Sequence, residues 1–139
     1  MKLLTHILAG LLGFAFVAGG LMFLLKLGPT PPPPPTGSPP ALFMGALMPT
    51  GYMTFVKVLE VFGGLLVIVP KTRNLGLLIL GPIIVNILAY QIFINRGVGL
   101  FDPPVIVISV LALFLLWTGR REFLGLIPKA PAASTPERP

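Results

Sequence analysis

An apolar run long enough to cross a membrane must satisfy its backbone donors and acceptors without water, which leaves the helix as the form a single segment can take. This chain carries such runs through most of its length. The first, Leu3 to Leu25, is broken only by Thr5 and His6. The second runs from Gly51 to Val69 (GYMTFVKVLEVFGGLLVIV), the third from Leu75 to Ile94, and a shorter fourth from Pro103 to Thr118. At about 1.5 Å per residue, roughly 20 residues cross a hydrocarbon core of about 30 Å. Composition agrees: 55% of the 139 residues are hydrophobic and 10% are charged, against roughly 25% charged in soluble domains. We therefore expect an all-α chain, an integral membrane antiparallel four-helix bundle occupying residues 1–122.

Local signals refine these bounds. Lys2 and the small residues Ala18, Gly19 and Gly20 would suit a signal peptide. The apolar core of such a peptide is usually only about 7–15 residues, so we expect the first run to stay as an uncleaved helix. Pro70 closes the second span, and Pro82 should kink the third by freeing the Leu78 carbonyl. Asp102 and Pro103 have the residue types of an N-cap and first helical position. After Arg120 and Arg121, residues 123–139 are expected to form an interfacial segment (EFLGLIP) and a disordered tail (KAPAASTPERP). The Pro-rich loop, 29–40, should be a stiff polyproline II spacer, although its composition also suits an SH3-type ligand. Ala41 to Met48 (ALFMGALM) is too short to span and is expected to be half-buried beneath that loop.

Four spans put both termini on one side. Lys2, Lys71, Arg73, Arg120, Arg121, Lys129 and Arg138 fall on that side, and only Lys26 and Arg96 on the other. The positive-inside rule places the basic side in the cytoplasm, so the Pro-rich loop becomes external. The expected location is the inner (cytoplasmic) membrane, multi-pass, with both termini cytoplasmic. The net charge of +6 is scattered among spans. It does not make the basic face a nucleic acid requires, so no nucleic-acid partner is expected. With no Cys, disulfides, thiol redox chemistry and thiolate-held metals are excluded.

The second span holds Lys57 and Glu60. A lone charge at a span's centre costs about 2.5–3.5 kcal/mol, so two of them need compensation or a use. Three residues apart, they share a helix face, although Lys before Glu is the weaker order for pairing. Lys57 lies about 9 Å and Glu60 about 14 Å from the outer end at helical rise, so the lysine can snorkel outward while the glutamate is too short, and the pair can partly neutralise itself. Lys26 closes the first helix at the same end, and Asn86 with Tyr90 should face inward from the third. Lys26, Lys57, Glu60, Asn86 and Tyr90 thus form the candidate intramembrane polar cluster. Such groups either hold helices together, at roughly 0.6–2 kcal/mol each, or mark a headgroup, quinone or proton site.

Gly10, Gly13 and Gly20 of the first run, with Gly63, Gly64, Gly76 and Gly81, read as surfaces for close helix approach. His6 is chemically suited to ligate haem or chlorophyll axially, or to sit at the interface. Tyr52 and Trp117, near helix ends, read as interfacial anchors. No metal site and no catalytic residue is expected.

The segments GLMFLLKLGP, VKVLEVFGGLLVIVPKTRNLG and the polar third helix, spread over residues 10–118, resemble the DoxX-like family of small four-helix bacterial membrane proteins. The lysine and glutamate followed by a glycine pair and a short basic turn carry the resemblance. The long polyproline loop departs from it. The resemblance implies an architecture more than a reaction; some members are associated with respiratory or quinone-linked oxidation systems. Our leading expectation is a non-catalytic accessory subunit of a larger respiratory or photosynthetic membrane complex. Such a subunit would be surrounded by lipid and other membrane subunits, with no intrinsic cofactor but room for a bound lipid, quinone or pigment. The alternatives are a small proton-coupled transporter using Glu60 and a quinone-interacting redox partner using Glu60 and Tyr90.

Overall fold

In the computed structural model, which describes residues 1–127, every apolar run is a helix, and no strand occurs among the described residues. Helix α1 is Lys2–Leu24, α2 is Pro39–Leu47, α3 is Tyr52–Ile68, α4 is Arg73–Ala89 and α5 is Pro103–Leu124. A π-helical turn, Tyr90–Ile94, continues α4. Three stretches are long and apolar enough to cross a membrane: Lys2–Leu24, Arg73–Ile94 and Pro103–Leu124. Helix α3, at 17 residues, joins them only together with α2, from which it is bent by 82°.

The ends follow from local chemistry. Ser38 caps α2 by accepting from the Ala41 N–H at 3.4 Å, and prolines occupy its first turn, where a missing N–H costs nothing. Asp102 stands at the N-cap of α5, but its side chain makes no capping bond. Thr72, in the turn between α3 and α4, donates its hydroxyl to the Leu66 carbonyl at 2.9 Å. That carbonyl belongs to the last turn of α3, which has no intrahelical donor of its own.

One expectation needs correction. The fourth helix does not stop at Thr118. It runs on to Leu124, because Gly119, Arg120, Arg121 and Glu122 end the apolar stretch without ending helical geometry. Arg120 even reinforces it, donating to the Trp117 carbonyl at 2.9 Å. Residues 123–127 therefore open as helix and turn, and the tail expected over 128–139 lies outside the described residues. The Ala41 to Met48 segment lies in helix α2 and its cap, with Ala41, Phe43, Met44 and Leu47 half-buried, as expected, and no residue fully buried. Its anchor is Phe43, whose ring centroid lies 5.2 Å from that of Tyr90. Helix α4 is continuous through Pro82, and a π-helical turn follows at Tyr90–Ile94.

Helix α1 packs along α3, α3 along α4, and α5 against both α4 and α1. Glycine sets the closest of these approaches. A Cβ on Gly64 would stand 2.8 Å from the Gly13 carbonyl oxygen, and one on Gly20 would stand 3.1 Å from the Lys57 carbonyl. As numbers rise along α1 they fall along α3, so the two helices run in opposite directions. Gly76 does the same between α3 and α4, where a Cβ would meet the Val67 nitrogen at 2.6 Å. Gly10 and Gly81, also expected at contacts, have nothing within 4 Å and serve no close approach.

The core between these helices is wholly aliphatic apart from Phe16, and includes Leu12, Val67, Leu80 and Leu115. The outside is no less apolar. Phe14 is 68% exposed, Phe93 76% and Leu113 67%. A water-soluble protein rarely shows apolar surface on this scale, and the arrangement is compatible with a multi-pass membrane protein.

Candidate functional site

The pair at the centre of α3 is closed. The Lys57 ammonium donates to both Glu60 carboxylate oxygens, at 2.9 and 2.8 Å. Glu60 is 4% exposed, the buried charge among the described residues. Lys57 keeps more contact with the outside, with 21% of its side chain accessible. This is the only salt bridge among the described residues. The two residues thus pair across the helix face they share, with Lys57 keeping partial access to the outside.

Helix α1 supplies the rest of the environment. Gly20 lets the Lys57 backbone approach, and Phe23, one turn further along α1, places its ring centroid 5.7 Å from Nζ. The face of an aromatic ring attracts a cation by about 0.5–1 kcal/mol when exposed and more when desolvated. Phe23 was not singled out from the sequence. Its signal was its position in register, three residues beyond a glycine that contacts the Lys57 backbone.

The other candidates do not join this pair. Lys26 is exposed beyond the end of α1, where its backbone N–H donates to the Phe23 carbonyl and its φ is +54°. Asn86 is exposed on α4. Two residues after buried Ile84, it is rotated by roughly 200° from the packed face, so it points away from α3. Tyr90 is half-buried and spends its ring on Phe43 of α2. Among the described residues, none of the three bonds to Lys57 or Glu60. His6 is exposed in the first turns of α1, its Nδ1 2.5 Å from the Lys2 carbonyl oxygen, far along the helix from the end that holds Lys57. Among the described residues no group of three or more His, Cys, Asp or Glu side chains could hold a metal ion.

Chemically, a buried carboxylate with both oxygens on one ammonium is a locked dipole spanning one helical turn. It neutralises two charges within one helix, while Gly20 and Phe23 hold Lys57 against α1.

Comparison with known proteins adds a relative and no activity. No family model and no solved structure matches the chain. Over 83 residues, 60% of the chain, it is 35% identical to the uncharacterized protein YwoB of Bacillus subtilis (strain 168). The aligned part spans about half, 52%, of that relative's length.

Proposed function

We propose that the chain is an integral membrane protein whose antiparallel bundle acts as a non-catalytic accessory subunit of a larger membrane complex. The observation that carries this reading is the closed Lys57–Glu60 pair. The strongest charge inside the helical body is consumed by its own neighbour and by the packing of α1 on α3, as in a part whose task is to hold a shape. Helices α1, α4 and α5 with their apolar exteriors, and α3 entered through α2, support a body embedded in lipid. The resemblance of its first three spans to DoxX-like proteins suggests a respiratory or photosynthetic complex as the setting. The same alignment of charge supports the orientation with termini in the cytoplasm and the Pro-rich loop outside.

A proton-coupled transporter would need the Glu60 carboxylate to meet protons and substrate in alternation. Here both its oxygens are on Lys57, and nothing specific favours that reading. A quinone site shared by Glu60 and Tyr90 loses its geometry, because Tyr90 is engaged with α2. The test is purification from native membranes in mild detergent, with the accompanying subunits identified by mass spectrometry. Stable co-migration with one defined complex, and reduced assembly of that complex when the gene is deleted, is the expected result. A chain that purifies alone and drives a solute against a gradient in liposomes would overturn the proposal.

A further inference from the structure

At the opposite end from the ion pair, the N-termini of α1 and α4 meet the last turns of α5 around a cleft of about 580 Å³. Four cations line it, Lys2, Arg73, Arg120 and Arg121, with Glu122 as the single carboxylate. Glu122 forms no ion pair with any of them among the described residues.

The placement of these cations runs against helix electrostatics. An α-helix N-terminus carries partial positive charge and favours acids. Yet α1 begins with Lys2 and α4 with Arg73, and neither has an acid in its first turn. Arg73 is also incompletely used. Its Nε donates to the Val67 carbonyl at 3.4 Å, closing the end of α3, while its Nη2 is buried with no acceptor among the described residues. A buried donor without a partner is costly and rare. Lys2 and Arg121 make no side-chain hydrogen bond among the described residues. Arg120 lies over the Trp117 ring at 4.3 Å, with that ring two-thirds exposed at the end of α5. An exposed tryptophan at a helix end is the usual marker of headgroup depth.

We infer that this cleft binds a phosphate-bearing anion, delivered as the headgroup of an anionic phospholipid. Basic pockets between membrane helices suit such headgroups, and a guanidinium matches phosphate geometry with paired donors. The acyl chains would lie along the exposed Leu3 and Ile7 of α1. The inference rests on the membrane reading above but not on the accessory role.

The test uses the full chain purified in detergent and stripped of lipid, so it can fail without any bearing on partner subunits. Its unfolding midpoint is titrated with phosphatidylglycerol, phosphatidylcholine or inorganic phosphate, and retained lipid is counted by native mass spectrometry. Phosphatidylglycerol is expected to stabilise and to be retained, phosphatidylcholine much less so. Lys2→Gln with Arg121→Gln, side chains with no internal bond to lose, should weaken the apparent affinity about fivefold per cation. Lys26→Gln, at the other end of α1, should leave it unchanged. Arg73→Gln should abolish the response, and if that variant fails to fold the double variant decides. Stabilisation by inorganic phosphate equal to that by phosphatidylglycerol would keep the phosphate site and overturn the lipid as its source. Equal responses to phosphatidylglycerol and phosphatidylcholine, or a phosphatidylglycerol response untouched by the double variant, would overturn the site.

Discussion

Replacing Lys57 by Met tests the central packing claim most directly. The substitution keeps the length of an apolar side chain but removes both hydrogen bonds to Glu60 and the cation over Phe23. Removing one member of a buried pair typically costs about 3–5 kcal/mol, because the other charge stays behind without a partner. Glu60 should sit at the upper part of that range, being 4% exposed, short, and without another donor among the described residues. The reverse change, Glu60→Met, should cost less, about 2–3 kcal/mol. The orphaned ammonium is on a long stem, already 21% accessible, and can move outward. The double variant, Lys57→Met with Glu60→Met, leaves no charge and fills the space with apolar atoms, so it should lie within about 1 kcal/mol of wild type. Equilibrium unfolding in mixed micelles, followed by circular dichroism, gives all four corners of the cycle. The expected coupling is about 5–8 kcal/mol, the two single losses less what remains in the double variant. Single losses that simply add would refute the argument, as would a Glu60 variant more damaging than the Lys57 variant.

Three further outcomes follow from particular contacts. Gly64→Ala should destabilise by about 1–3 kcal/mol in the same assay, since its Cβ would stand 2.8 Å from the Gly13 carbonyl. Gly10→Ala, with nothing within 4 Å, should be neutral or stabilise by up to about 1 kcal/mol, and equal effects of the two would contradict the register of α1 on α3. In intact cells, an impermeant thiol reagent should label Ser38→Cys and spare Ser134→Cys; the opposite pattern would invert the orientation. Asn86→Leu should leave unfolding unchanged, because Asn86 is exposed on α4, yet reduce co-purification of partner subunits if it contacts one of them. A large loss of intrinsic stability would show that Asn86 faces inward after all.

Much of the helix content was legible because it depends on short stretches of chain. Leu3 to Leu25 predicted α1, and Leu75 to Ile94 predicted α4 with its π-helical turn, to within two residues, since an unbroken apolar run leaves the backbone no other internal partner. Where hydropathy and helicity part company the reading failed. Arg120 to Glu122 are polar but good helix formers, so α5 ran six residues beyond its apolar stretch.

The Lys57–Glu60 pair belongs to the sequence itself. Three residues on a helix fix a distance that two long side chains can close, whatever packs around them. Its partners belong to the tertiary structure. Phe23 reaches Lys57, and Asn86 misses it, because glycine contacts set how far α1 and α4 are slid and rotated against α3, and one residue of rotation moves a side chain by about 100°. The basic cleft is tertiary in the same sense. Lys2, Arg73 and Arg121 are scattered along the chain and are brought together only when α1, α4 and α5 bring the same end to one place. Periodicity gives each helix its faces; only the packed contacts choose which face meets which.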